Sequence, residues 1–283
     1  MVSHGYVLPT RGITMQSDSS MSLSSNTATL LTLASHAESL DFSSLWVGDS
    51  ILTRHRLEPL TTLASIATLT KKVQIGTAIY LLHLRHPIHV AHATATLDQL
   101  SGGRFIFGVG VGTSHESTLN ESMNLGVPFS ERGNILNDSL DLIRNLWRGE
   151  TVSSTGIYSF NDACLNVPPT REPPIYVAAT KFDSKSGFPN SIQKRIEQHA
   201  DGLMPQTDPS NYSSMISHAR DIVEKSGRES SIVATNYTDV VIAPSEKEAF
   251  AQARAYISSY YPWNIPDANL KKAGAFGPPE LVA

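Results

Sequence analysis

Three glycines alternate along Phe107-Gly-Val-Gly-Val-Gly112, at the end of a continuous apolar run in this 283-residue chain. Gly108, Gly110 and Gly112 admit three readings: a phosphate-cradling loop, a strand end bare enough for a large flat ligand, or glycines placed for close packing. A dinucleotide fingerprint needs a third glycine after two intervening residues, a helix opening at once, and an acidic residue about 20 positions later. Here the spacing is Gly-x-Gly-x-Gly, and Thr113-Ser-His-Glu-Ser-Thr118 reads as loop, against the Rossmann reading. His83, His86, His89 and His92 recur every third residue and invite a metal reading. No carboxylate or cysteine stands near them and no His-Glu-x-x-His pattern occurs, so surface or pocket-lining histidines fit better. His83, just after a predicted strand, is the best substrate-side candidate among them. Serine, histidine and aspartate are plentiful, yet no Gly-x-Ser-x-Gly elbow gives a hydrolase a positive signal. Tyr80 and Tyr158 suit either a pocket wall or packing.

The elements that must position these residues follow from periodicity. From Pro87 to Leu100 the spacing is helical, with Ile88, Ala91, Ala95 and Leu100 able to share one face. Ser101-Gly102-Gly103 stops that helix, and Arg104 to Gly112 reads as a buried parallel strand. Upstream, Gly5–Pro9 and Ser44–Gly48 are strands, Ile13–Ser25 is a serine- and methionine-rich mobile loop, and Asn26 or Thr27 caps a helix bearing Leu30, Ala34, Ala37 and Leu40. Glu58-Pro59 opens a helix with Leu60, Leu63, Ala67 and Thr70 inward, and Val73–Tyr80 is the next strand. Downstream, a long loop reaches Pro128 and Ser130 caps a helix ended by Gly149. Glu150–Asn161 suggests a hairpin insertion, and Pro173–Ala179, Asp201–Pro205 and Ile232–Ala243 complete the strands. Helices over Ser191–His199 and Ser210–Ser226 separate these last three, and Ser245-Glu-Lys-Glu248 is a capping box for one more. Seven strands alternating with helices imply a mostly parallel sheet, either a (β/α)8 barrel or doubly wound.

Composition narrows the function classes. Apolar residues make up 40% and charged residues 17%, enough for a large core. A formal net charge of -4 gives no basic footprint for nucleic acid. Cys164 is the single cysteine, so there is neither an intramolecular disulfide nor a cysteine cluster for zinc. The N-terminus lacks a basic segment followed by an apolar one, and no run is long enough to span a bilayer, which makes a cytoplasmic globular protein the expectation.

Ala95-Thr-Leu-Asp-Gln-Leu-Ser-Gly-Gly-Arg104 followed by Phe107-Gly-Val-Gly-Val-Gly112 resembles the bacterial-luciferase-like family of flavin- and deazaflavin-dependent oxidoreductases. Leu45-Trp-Val-Gly-Asp49, Glu58-Pro-Leu60, Ile75-Gly-Thr-Ala-Ile79, Arg85-His-Pro87, Glu131-Arg-Gly133, Pro174-Ile-Tyr-Val177 and His199-Ala-Asp-Gly202 follow in the family's order. The resemblance implies one TIM-barrel domain over residues 1–283 with the flavin ring in its mouth. Position by position, Asp49 matches the acidic residue at the end of the second strand, near flavin or substrate, and Ser50 stands where the family often has histidine. Ala78-Ile79 matches a non-prolyl cis peptide against the ring, and Gly110 and Gly112 match the strand beside it. Ala179-Thr180 matches the phosphate loop, and the cofactor phosphate is expected at the N-terminus of the helix opening at Ser191. Lys181 and Lys185 either add charge there or are solvated. Asp49, Ser50 and His83 are the catalytic candidates.

The resemblance further implies FMN, with oxygen activation or direct hydride transfer on a small organic substrate, or the deazaflavin coenzyme F420, which transfers hydride only. A flavin reductase and a second copy of the chain, as a homodimer, are the implied partners. The chain stops at Gly277-Pro-Pro-Glu-Leu-Val-Ala283, where the family continues into a last helix and eighth strand. The barrel is therefore expected to be truncated, and a non-catalytic flavin-binding barrel is the reading from outside the enzyme class.

Overall fold

Local signals around Gly102 set the pattern for the first half of the chain. The computed structural model describes residues 2–10, 23–53, 56–206, 209–229, 231–261 and 264–282. Helix α3, numbered in chain order, covers Pro87–Ser101 and ends where Gly102 takes φ 65°, donating its N–H to the carbonyls of Asp98 and Gln99. Strand β4, Phe105–Val109, follows with every residue buried. The inward face of α3 is Val90, Ala91, Thr94, Ala95, Leu97 and Asp98. Leu100, predicted on that face, is 54% exposed, because the stripe turns toward Leu97 and Ser101 in the last turn.

The chain forms two compact units, Met1–Ala178 with Asn190–Asp201, and Ala179–Pro189 with Gly202–Ala283. In the first unit, β1 (Gly5–Val7), β2 (Ser44–Val47), β3 (Gln74–Thr77), β4 and all but the last residue of β7 (Ile175–Ala179) pair side by side in that order. All four pairings are parallel, with Leu45 opposite Ile75 and Val109 opposite Val177. Trp46 reaches across this sheet. A methyl added at Gly76 would lie 2.5 Å from its indole, and one at Gly5 would lie 2.7 Å from its Nε1. Those two positions therefore exclude any side chain, and the indole N–H is satisfied by Ser44 Oγ at 2.8 Å.

The strand starts are tied by two charged side chains. Arg104 donates to the carbonyls of Ala67, Thr70, Val73 and Ser101 and to Thr70 Oγ1, closing off the C-terminus of α2 (Pro59–Leu69). Glu38, on α1 (Leu23–Ser39), accepts the N–H groups of Lys71, Lys72 and Val73. Burial pushes the Glu38 carboxyl up, and those backbone bonds, with Arg104, hold it below its ordinary value.

Several boundaries differ from the sequence reading. Residues 11–22, most of the predicted mobile loop, lie outside the described residues. Helix α1 already runs at Leu23, so Asn26 and Thr27 are inside it and not its cap. The long loop before Pro128 holds a helix, α4 (Glu116–Asn124), which is mostly polar and carries no apolar stripe to betray it. Ser130 lies in a single 3-10 turn, and helix α5 (Arg132–Trp147) begins after Glu131 without a side-chain cap. The hairpin is present as antiparallel β5 (Val152–Ser154) and β6 (Phe160–Ala163). Helix α6 (Asn190–His199) opens one residue before Ser191.

In the second unit β8 (Gly202–Pro205) pairs in parallel with β9 (Val233–Ala234), and α7 (Pro209–Lys225) lies between them in sequence. The predicted strand Ile232–Ala243 is two strands, because Asp239–Ile242 (β10) pairs instead with Gly274–Gly277 (β11). Helix α8 (Glu246–Tyr260) lies between those two in sequence, capped by Ser245, whose side chain accepts the N–H of Glu248 as the capping box requires. Two short helices, α9 (Asp267–Ala273) and α10 (Pro279–Val282), flank β11, a strand absent from the sequence reading.

Candidate active site

At the C-terminal ends of β2, β3 and β4 the chain turns from apolar strand to charged loop. Asp49 follows β2 with its side chain fully buried. Its Oδ2 accepts the N–H of Leu81 at 2.9 Å and Arg85 Nη1 at 2.6 Å, while its Oδ1 accepts Arg85 Nη2 at 2.9 Å. This two-pronged pairing fixes the loop after β3 to the end of β2. Burial pulls the Arg85 guanidinium down, and the bond and charge of Asp49 more than offset it, so its pKa ends raised. The guanidinium carbon also lies 4.3 Å from the centre of the Tyr80 ring. Burial pushes the Tyr80 hydroxyl well above its ordinary value, so Tyr80 stays neutral. So placed, Asp49 is a fixed acceptor, not an open base.

The next loop is held by a residue the sequence reading missed. Glu121, on α4 and 3% exposed, accepts the N–H groups of Ile51 and Leu52 through Oε1, both at 2.7 Å. Thr53 N and Ser50 Oγ approach the same oxygen at 3.4 and 3.5 Å. Charge-assisted bonds of this kind contribute about 1.5–3 kcal/mol each. Glu121→Ala is expected to destabilise the fold by a few kcal/mol on that scale and to speed amide exchange at residues 51–53 first. Unchanged exchange there would show that the carboxylate does not hold the loop.

The peptide bond Ala78–Ile79 is cis. The space above Gly110 is taken by Ile79: an added methyl would lie 2.2 Å from its Cδ1 and 3.1 Å from Ala178 Cβ. Gly112 has φ 68°, with Leu81 and Thr118 within 3.5 Å of where a methyl would point. Gly110→Ala is accordingly expected to displace Ile79 and cost about 1–2 kcal/mol as an overpacked position. A thermal melt identical to that of the parent chain would exclude this crowding.

The four regularly spaced histidines part company. His86 caps α3, accepting the N–H of Ile88, and packs 5.1 Å from the Tyr158 ring. His89 and His92 are exposed. His83 is wholly buried in the 3-10 turn Leu82–Leu84, where Tyr158 donates its hydroxyl to the His83 carbonyl at 2.9 Å. Neither ring nitrogen of His83 has a partner among the described residues. Burial, then the charges of Arg132, Arg195 and Arg85, hold its pKa down to about 3. It is neutral at physiological pH and wholly buried.

Ser191 is half-buried in the first turn of α6, and its carbonyl accepts Asn137 Nδ2 at 3.1 Å. Ala179 is buried and Thr180, Lys181 and Lys185 are exposed, all four in the second unit. The loop beyond them satisfies its own amides: Asp183 Oδ1 accepts the N–H groups of Lys185 and Ser186. Those bonds hold the exposed Asp183 carboxyl below its usual range.

The sequence matches the luciferase-like monooxygenase family over residues 3–278. The chain belongs to that family. A curated relative of this luciferase-like chain is the F420-dependent glucose-6-phosphate dehydrogenase of Amycolatopsis mediterranei, 35% identical over 193 residues. That match takes in 62% of this chain and 57% of the relative, so the chain spans little more than half the length of such proteins. Two solved structures share the fold. One is an F420-dependent secondary alcohol dehydrogenase in complex with an F420–acetone adduct, at TM-score 0.76 and 21% identity over 97% of this chain and 85% of that one. The other is the FMN-bound oxygenating constituent of 3,6-diketocamphane monooxygenase from Pseudomonas putida, at TM-score 0.73 and 15% identity over 99% and 85%. The fold class is the (β/α)8 TIM-barrel type of the luciferase-like proteins, whose members here use F420 or FMN. Among the described residues no helix is long and apolar enough to cross a membrane.

Proposed function

We propose that this luciferase-like chain is an oxidoreductase that exchanges hydride between the deazaflavin coenzyme F420 and a small organic substrate. What supports the reading is the match to the luciferase-like family over residues 3–278, together with half-buried Ile79 lying over Gly110 as an apolar, uncharged contact at the end of β4. The relative sharing 35% identity is named for F420, which moves the deazaflavin ahead of FMN. The residues fit such a ring. Ala78, Ile79, Gly110 and Gly112 would hold it, and Ser191 in the first turn of α6 would meet its phosphate.

When bound, the coenzyme supplies a hydride donor or acceptor that does not activate oxygen. The protein's share is orientation and exclusion of water. Asp49 and Arg85 clamp the loop after β3 so that Leu81 and Ile79 keep their places. Neutral Tyr80, and Ser50 fastened near Glu121, leave the wall without an ionised group of their own.

A second reading has a specific support: the FMN-bound neighbour at TM-score 0.73 over nearly the whole chain favours reduced FMN, oxygenation and a separate flavin reductase. Both readings place a homodimer in the cytoplasm. Anaerobic titration of the purified chain with F420 and with FMN, followed by absorbance, separates them. Tight binding of F420 with substrate-dependent bleaching is expected. Binding of FMN alone with substrate-dependent oxygen uptake would replace this reading by the second, and binding of neither coenzyme by folded protein would overturn both.

A further inference from the structure

Alternation along β4 gives the sheet of the first unit a helix side and an interior side. Phe105, Phe107 and Val109 take the helix side, where the Phe107 ring lies 6.0 Å from that of Trp147 on α5. Ile106, Gly108 and Gly110 take the other, and their neighbours Gly76 on β3 and Tyr176 on β7 share it with them. Trp46, opposite Gly76, is on that interior side too. Its ring meets the Tyr176 ring at 5.9 Å, although β3 and β4 lie between their strands.

Two residues beyond Trp46, Gly48 falls on the same interior side, at the C-terminal strand ends where ligands of this fold class bind. The layer around it is nearly bare of side chains. Ala78, whose N–H bonds the Val47 carbonyl, stands next to it. Beyond Ala78 come Gly110 and Ala178, with Ile79 leaning over Gly110.

The loop after β2 returns a charged group to this layer. A methyl added at Gly48 would overlap Nη1 of Arg56, and would lie 2.7 Å from its Cζ and 3.1 Å from the Ala78 carbonyl oxygen. The guanidinium therefore fills the space that a side chain at position 48 would take, on the interior side and beside the cis bond. Arg56 is half-buried. Two residues later Glu58 caps α2 through its own carboxylate, which fixes where the loop ends. An arginine stays ionised at any physiological pH, whatever else it touches.

A purely architectural role, with Arg56 pinning its loop onto Gly48, accounts for the contact. It does not account for the charge, since drawing a guanidinium out of water costs free energy that an apolar side chain of similar length does not incur. Tyr80 and Ser50 bring no ionised group to these strand ends, so Arg56 decides the sign of the field there.

We propose that Arg56 holds a fixed positive charge against the coenzyme ring and favours its reduced form. The inference rests on the coenzyme reading above and adds the side chain that biases it. A ring that accepts a hydride from substrate gains one negative charge until a proton follows from solvent, and the substrate is oxidised by the same two electrons. A cation beside the ring stabilises the form with the added charge and raises the potential of the bound coenzyme, one of the means by which a protein tunes such a group.

The full chain, Arg56→Met, Arg56→Lys and Gly48→Ala are titrated anaerobically with F420 and with FMN, each oxidised and reduced, and thermal melts check folding. Tighter binding of the reduced form is expected for the parent. Arg56→Met should lower that preference by about tenfold or more, a fall of about 30 mV in the midpoint potential of a two-electron couple. Affinity for the oxidised form should change little. Arg56→Lys keeps the charge and should stay close to the parent. Gly48→Ala drives the guanidinium from its seat and should shift the preference in the same direction as Arg56→Met. An unchanged preference in Arg56→Met overturns the proposal and leaves the coenzyme reading standing. So do equal losses for both forms in Arg56→Met and Arg56→Lys, the mark of a purely architectural residue. If Arg56→Met does not fold, Arg56→Gln is set against Arg56→Lys by the same ratio. A folded parent chain that binds neither coenzyme in either state removes the coenzyme reading, and this proposal with it.

Discussion

Asp49→Asn is expected to cost the folded chain about 3–5 kcal/mol, the usual penalty for removing one partner of a buried ion pair. The asparagine is nearly isosteric, so packing survives and the loss is electrostatic. Arg85, whose side chain is 18% exposed, keeps its charge and loses both carboxylate contacts, while the Leu81 N–H exchanges a charged acceptor for a neutral one. Arg85→Met should be comparably harmful, because it strands a fully buried carboxylate. The double variant should then be less damaged than the sum of the two, by more than about 1 kcal/mol, the range of coupling found for groups in direct contact. Urea denaturation of the four proteins closes this cycle. Additive losses would mean that the pair is not a functional unit. Affinity for the coenzyme proposed above should fall in parallel, since the loop that the pair holds begins two residues after Ile79.

Acid should unfold the parent chain earlier than a His83→Leu variant. In the unfolded chain this imidazole takes its proton near the ordinary value of 6.5, and in the folded chain only near 3. Between those values the unfolded state binds more protons, so stability falls as pH drops through the window and levels off below it. The contribution is limited to about 1.4 kcal/mol for each pH unit, the free energy of one proton. Denaturation midpoints in phosphate-free buffer at pH 7, 5.5 and 4 are expected to decline less steeply for His83→Leu. Equal slopes would show that His83 is not buried in its neutral form.

What was legible in the sequence is what is local. Gly102 takes the left-handed conformation its place after a helix demands, Glu58 caps the helix that Pro59 opens, and Ser245 with Glu248 forms the expected box. Each depends on residues three or four apart. The ion pair of Asp49 with Arg85 joins positions 36 apart, and the grip of Glu121 on residues 51 and 52 joins positions about 70 apart. No periodicity encodes such partners, so neither Arg85 nor Glu121 stood out as a site residue. The helix around Glu121 stayed hidden because its sequence, Glu116 to Asn124, is mostly polar. The split of Ile232–Ala243 was invisible for another reason: strand partners are chosen by tertiary packing, and Asp239–Ile242 meets Gly274–Gly277, more than thirty residues away. His83 is conspicuous by its type, but the helix α5 that packs against its 3-10 turn is not announced by its own segment.

Arg104 and Glu38 bind almost entirely to main-chain atoms. Every residue supplies a carbonyl and nearly every one an amide, so the positions they grip, Ala67, Lys71 and Lys72 among them, are released from having to keep any particular side chain for that purpose. Mutational tolerance and fragility are therefore divided very unevenly over the base of this unit. A saturation mutagenesis map should show many permissive sites there, surrounding two at which almost every replacement is lost from the expressed pool.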